Sequence, residues 1–187
     1  ALRAAMPRGL QKEAARVCGK DVAEIFWDMQ KFYDTISLVK LVQLALAAGF
    51  PPQILLQCAL LYLGARVIKF DNCYSTPVWP TNSITAGCCF ANMMARLILF
   101  ETMRLMHIQH PQAAPRQYVD DLAQRCEGTR EEILSTLSPA AAALAARLRG
   151  LGFKISAKTT VTATSRKLAE DIGERLIMAG VKAEVAS

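Results

Sequence analysis

The sequence predicts an α+β fold in which helices pack on one face of a largely antiparallel sheet. Three observations lead there. Runs of β-branched and aromatic residues such as VAEIFWDM (22–29), RQYV (116–119) and TTVTA (159–163) suit short, half-buried strands. Longer stretches between them, including 37–49 and 88–108, carry apolar residues at helical spacing. The order of the two kinds is β-α-α-ββ-α-ββ-α-ββ-α, and paired strands alternating with helices belong to the α+β class rather than to a parallel α/β sheet.

Each element has a local reason. Residues 10–19 read as a helix ahead of the strand at 22–29. Ser37 is the expected N-cap of SLVKLVQLALAAG, which Gly49 terminates in the C′ position before Pro51 and Pro52. A second helix is expected over 52–65, and RVIKF and STPVW flank DNCY as a hairpin. CCFANMMARLILFETMRLMHI (88–108) reads as a long helix with Arg96, Glu101 and Arg104 at its polar positions, ended by PQAAPR. RQYV and LAQRC then form a hairpin around Asp120 and Asp121. Thr129 caps a helix beginning REEIL, and PAAAALAARLRG either continues it or starts a new one at Ser138–Pro139. FKIS and TTVTA are expected strands, and Ser165 to Gly180 frames a last helix.

Composition narrows the function classes. At 187 residues and 52% hydrophobic, the chain has material for one real core and is not disordered as a whole. Its 22 Lys and Arg against 16 Asp and Glu give +6, a balance that suits a polyanionic partner. The six cysteines (18, 58, 73, 88, 89, 126) show no CxxC spacing, so reduced thiols in an intracellular compartment are expected, without disulfides or zinc. No run reaches the 18 or so apolar residues of a membrane span, and the N-terminus lacks the apolar core of a signal peptide. His107 and His110 are expected at the surface, and Trp27 and Trp79 in the core.

The stretch QYVDDLAQ (117–124) sets two carboxylates side by side. At about 4 Å and an effective dielectric of 20, two such charges repel by roughly 4 kcal/mol. Either a solvated turn or a divalent cation accommodates them, and the stretch alone leaves both open. A further carboxylate, Asp28, stands where the strand at 22–29 finishes, with Asp34 six positions on. A strand-end carboxylate beside a hairpin-tip pair is an arrangement that holds Mg²⁺ or Mn²⁺. Magnesium takes oxygen ligands, commonly one or two carboxylates plus substrate phosphates, and two ions about 3.5–4 Å apart serve in-line phosphoryl displacement.

Four stretches together carry a resemblance. FWDMQKFYDTI (26–36), TNSITAGCCFANMMARLILF (81–100), QYVDDLAQ (117–124) and GLGFKISAKTTV (150–161) look like motifs A, B, C and D, in that order, of a polymerase palm. Across residues 22–165 the chain resembles the palm of reverse transcriptases, RNA-directed DNA polymerases, especially those of non-LTR retroelements and group II introns.

The resemblance implies residues 1–21 as a helical remnant of the fingers–palm junction and 22–187 as the palm domain, with the thumb absent. It implies RNA template, DNA primer and deoxynucleoside triphosphate as partners, and Mg²⁺ or Mn²⁺ as cofactor. Asp28 and Asp120 would bind the catalytic metals, with Asp121 at the edge of the site and Met29 offering its backbone carbonyl. Tyr33 would lie beneath the incoming sugar and exclude a 2′-hydroxyl. Gly87 would allow close backbone approach to template or nucleotide, Lys158 would protonate the departing pyrophosphate, and Asp34 would serve structure. Motif B of the family carries Gln before the glycine, where this chain has Ala86, and Ser-Pro where it has Ala91–Asn92. That difference raises a second reading, a catalytically inactive retroelement-derived remnant or nucleic-acid-binding module. A third, a relative of diguanylate cyclases, lacks the GG(D/E)EF signature.

Overall fold

The computed structural model describes residues 13–186 apart from Arg16. In chain order the elements are β1 (Asp21–Trp27), α1 (Phe32–Thr35), α2 (Leu38–Ala47), α3 (Pro52–Leu63), β2 (Lys69–Phe70), β3 (Cys73–Tyr74), α4 (Ala91–Gln109), a 3₁₀ turn (Pro111–Ala113), β4 (Pro115–Tyr118), β5 (Asp121–Gly128), α5 (Arg130–Leu151), β6 (Thr160–Ala163), α6 (Arg166–Met178) and β7 (Glu184–Val185). The helix expected over 10–19 falls partly outside the described residues; Glu13–Ala15 and Val17 are helical.

The chain divides into two compact units, one comprising the segments up to Gln30, Thr102–Gly150 and from Lys154 onward, the other Lys31–Glu101 with Leu151–Phe153. The first is the α+β body. Its sheet has the order β4-β5-β1-β6-β7, so β1 is central. β1 runs antiparallel to β5 and to β6, and β4 is antiparallel to β5. Only β6 and β7 are parallel. β7 forms from VKAEVAS, a tail without strand periodicity that the sequence left unassigned, because Glu184 and Ala186 donate their amides to Thr159 and Val161.

Side chains alternate across this sheet as strand geometry requires. Ala23, Ile25 and Trp27 of β1, Leu122, Gln124 and Cys126 of β5, and Val161 of β6 form one buried face. α6 packs on β6 and β7 and buries Leu168, Ala169, Ile172 and Leu176. Its N-cap Ser165 accepts from the Leu168 amide. The opposite face, with Glu24, Phe26 and Asp28 half-buried, stays partly open to solvent.

α5 is one continuous helix through Pro139, which settles the choice left open at Ser138–Pro139. An interior proline removes a helical hydrogen bond at about 3 kcal/mol, and the Ser138 hydroxyl is buried without a partner. The apolar stripe Ile133, Leu137, Ala141, Leu144 and Leu148 runs unbroken across that point and outweighs both.

The start of α5 is a capping box. The Thr129 amide donates to Glu132 Oε2 at 2.7 Å, and the Glu132 amide donates to Thr129 Oγ1 at 3.3 Å. The Thr129 backbone amide, then its hydroxyl, hold the Glu132 carboxyl below the usual glutamate range. A carboxyl with its folded pKa depressed contributes stability above the unfolded value and loses it as pH falls through the folded one. Glu132→Gln should therefore melt below the wild type at pH 7, and the gap should close on acidification. Thermal melts across pH 7 to 2.5 check this; a constant gap defeats it.

The second unit contains α1 to α3, the β2–β3 hairpin and the first part of α4. Ser37 caps α2 through the Lys40 amide, and Gly49 follows that helix at φ 74. Phe153 of FKIS stacks on Phe32 here at 5.0 Å. FKIS is therefore not the strand expected of it, and only Ile155 keeps a single bridge, to Met29. The hairpin around DNCY is shorter than expected, with two residues in each strand and one outlying bridge, Arg66 to Val78. Trp79 is 66% exposed rather than in the core, since both strands of this hairpin are themselves exposed. The cysteines are free thiols, and no helix is long and apolar enough to cross a membrane, both among the described residues.

Candidate metal centre

β1 pairs with β5 up to Trp27 opposite Leu122. Asp28 is the residue that follows β1 and Asp121 the first of β5, so both lie just past the last β1–β5 pair, at the same end of the sheet. Residues opposite each other in antiparallel strands share a face. The neighbouring pair Phe26 and Ala123 lies on the face away from Trp27 and Leu122, where Phe26 is half-buried and Ala123 buried. Asp120 lies in the turn immediately before Asp121. Asp28 and Asp120 are half-buried and Asp121 is exposed.

The hairpin that presents the pair is as tight as a hairpin can be. Tyr118 pairs with Asp121, leaving Val119 and Asp120 as the two-residue loop. Val119 adopts φ 60. A positive φ at the first loop position favours glycine, and a β-branched residue there is strained by about 1–3 kcal/mol. Gln117 Nε2 donates to the Val119 carbonyl at 2.8 Å and clamps the strained turn. Such strain persists only where its surroundings over-determine it, and it clusters at sites where geometry matters.

On its other side Asp28 is held by a clasp. The Ser156 amide donates to the Asp28 carbonyl at 2.8 Å, and the Asp28 amide donates to Thr159 Oγ1 at 3.3 Å. Thr159 is fully buried, and its amide closes the Ser156–Thr159 turn at 3.2 Å. Lys158 stands exposed in that turn. Because Asp28 and Gln30 bond toward residues 156 and 154, the backbone of Met29 between them faces the opposite edge. That is the edge carrying β5 and the aspartate hairpin.

Behind the site the buried face is braced by a polar chain. Trp27 Nε1 donates to Gln124 Oε1 at 3.0 Å, and Gln124 Nε2 donates to the Ala113 carbonyl at 2.9 Å. Four residues along β5 from Asp121, on the open face, Arg125 enters the lining of a cavity of about 770 Å³ with Lys20, His107, Arg116 and Glu127. Arg125 pairs with Glu127 at 3.5 Å and stands opposite Glu24 in the register. His107 is exposed, as expected of it.

Among the described residues no group of three His, Cys, Asp or Glu side chains is gathered into a metal cage. What the strand pairing supplies is a shared edge for oxygen donors. Such an edge fits magnesium, which takes few protein ligands and completes its shell with water and phosphate. It does not fit zinc, which wants four converging nitrogen and sulfur donors.

Tyr33 and Gly87 belong to the second unit. Tyr33 packs edge-to-face on Phe32 at 5.3 Å, and its hydroxyl meets Asn92 Oδ1 at 3.4 Å. Gly87 has φ 84, and a Cβ there would meet nothing within 4 Å. Within this unit the glycine is required by its backbone angle and not by a close neighbour. Asp34 is exposed, with its amide bonded to the Lys31 carbonyl. Ala86 is exposed.

Sequence reasoning missed the Ser156–Thr159 clasp, Gln124 and the strain at Val119. Gln124 carried a signal: a polar residue on the buried alternation of a strand, whose amide needs partners on both ends. The chain matches no protein-family model, and no curated protein matches it.

Proposed function

We propose that this chain is the palm of an RNA-directed DNA polymerase of reverse-transcriptase type, which joins a deoxynucleotide to a primer 3′-OH using two Mg²⁺ or Mn²⁺ ions. The observation that supports the reading is the β1–β5 register, whose last pair, Trp27 opposite Leu122, leaves Asp28 and Asp121 adjacent to it at one end of the sheet, with Asp120 in the turn before Asp121. Bound magnesium supplies Lewis-acid stabilisation of the attacking and leaving oxygens. Asp28 and Asp120 provide the negative charge that holds it, with Asp121 at the rim and the Met29 carbonyl as a neutral donor. The Ser156–Thr159 clasp keeps Asp28 in place. Lys158, in the same turn, gives a proton to the departing pyrophosphate. The net charge of +6 and the cations Lys20 and Arg116 favour a nucleic-acid partner, and the free thiols suit an intracellular compartment.

Metal linkage tests the site. With a Kd of about 1 mM, 10 mM Mg²⁺ stabilises the native state by about 1.4 kcal/mol, a rise of about 4 °C in Tm for a chain of this size. Asp120→Asn should remove most of that rise. A Tm that ignores both Mg²⁺ and Mn²⁺ counts against the centre.

Ala86 favours the second reading, a retained but inactive palm. Primer extension on an RNA template separates the two: metal-linked melting without extension identifies the remnant.

A further inference from the structure

The α+β body holds a cavity of about 770 Å³, within the size range of small-ligand pockets. Its charged lining comes from three separate stretches of chain: Lys20 just before β1, Arg116 on β4, and Arg125 with Glu127 on β5. The sheet register explains why the two arginines meet. Arg116 pairs with Ala123, so Arg125, two residues further along β5, is its diagonal neighbour on the same face. Diagonal neighbours in an antiparallel pair stand roughly 7–8 Å apart, within reach of two long side chains. Lys20 joins them through its amide, which donates to the Ala15 carbonyl at 2.9 Å. Among the described residues of the lining Glu127 is the one carboxylate, and it meets a single nitrogen of Arg125 at 3.5 Å. Glu24 stands opposite Arg125 on β1, so that arginine is the best answered of the three cations. Glu132, which feels the charge of Lys20, is already held in the capping box with Thr129. Arg116 is exposed and makes no ion pair among the described residues.

We propose that this cavity is a binding site for a phosphate group, gripped by Arg116 and Arg125 with Lys20 at the rim. A guanidinium presents a planar fork of donors that matches two phosphate oxygens. The sheet holds two such forks on one diagonal, where their like charges repel, and a bound phosphate removes that repulsion. The ligand is a phosphate-bearing anion, either the phosphodiester of a nucleic-acid strand or a small free phosphate compound. The site uses none of the three aspartates. An inactive palm would keep it, so it does not rest on the polymerase reading.

Amide NMR of the isotope-labelled chain tests it, in metal-free buffer with EDTA and at constant ionic strength, so that no metal recruits phosphate to the aspartates. Titration with inorganic pyrophosphate should shift the Lys20, Arg116 and Arg125 amides saturably, with a Kd below about 1 mM. Arg116→Gln should weaken that binding about tenfold or more, the loss of one charge-assisted contact. Lys167→Gln, which removes an equal charge from the exposed side of α6, should change it by less than about twofold. A short single-stranded DNA then separates the sources. Tighter binding than pyrophosphate at the same amides assigns a nucleic-acid backbone, and weaker binding assigns a free phosphate compound. Shifts that do not saturate by about 10 mM pyrophosphate, or equal losses from Arg116→Gln and Lys167→Gln, overturn the site. Arg125→Gln should weaken binding as Arg116→Gln does; if it does not fold, Arg116→Gln decides.

Discussion

Asp28→Asn and Asp120→Asn should each lower primer extension by about a thousandfold or more, which is about 4 kcal/mol at 1.36 kcal/mol per decade. The substitution keeps the shape of the side chain and removes the charge that the proposed metal site requires. Stability should move the other way. Under the proposed metal site the carboxylates of Asp28 and Asp120 repel each other in metal-free buffer, so either variant should melt at or above the wild-type temperature there. A structural aspartate would behave differently, losing stability and activity together. Asp121→Asn should have the smallest effect of the three, because that residue is the exposed one. Retention of more than about a tenth of the activity by either Asp28→Asn or Asp120→Asn would show that these carboxylates do not carry the reaction.

Trp27→Ala should have the largest effect on stability of any single change to β1, about 4 kcal/mol. Truncating a buried aromatic leaves a cavity and costs about 3–5 kcal/mol. Trp27 is 2% exposed at the end of the central strand, and its indole N–H is the partner of a fully buried Gln124. Trp27→Phe isolates the polar part. It retains most of the apolar volume but strands Gln124 Oε1, at about 1–3 kcal/mol. Denaturant melts with unchanged slopes measure both. Equal stability of Trp27→Phe and wild type would mean that the Trp27–Gln124–Ala113 chain contributes nothing.

The elements that sequence reasoning placed well are those whose cause is local. Ser37 and Ser165 cap their helices from their own first turns, and Gly49 ends α2 because its positive φ is uncongenial to other residues. The hairpin at 117–121 was legible from the two strand-like runs around the aspartates, but its loop is Val119–Asp120, with Val119 out of the first strand and Asp121 within the second. Elements with a remote cause were not legible. β7 exists because Thr159 and Val161 offer carbonyls at an open sheet edge, which nothing within 181–187 announces. FKIS has strand composition, yet its phenylalanine is recruited by Phe32. Pro139 sits inside a helix because an alanine-rich stripe outweighs its local preference. The candidate site divides in the same manner. Its carboxylates could be named from spacing, whereas the hydroxyl and amides that fix Asp28 come from a turn far along the chain.

The β1–β5 pairing acts as a splint. The carboxylates on either side of it are joined covalently by a long tether, the stretch from Gln30 to Gln117, yet their mutual placement is dictated by backbone bonds between two short strands. A slip of one residue would turn every side chain of β1 to the other side and drive Asp28 into the apolar layer. Length changes within the tether, for instance at the exposed β2–β3 tip, carry no such penalty. Insertions and deletions there can accumulate without disturbing the spacing of the aspartates.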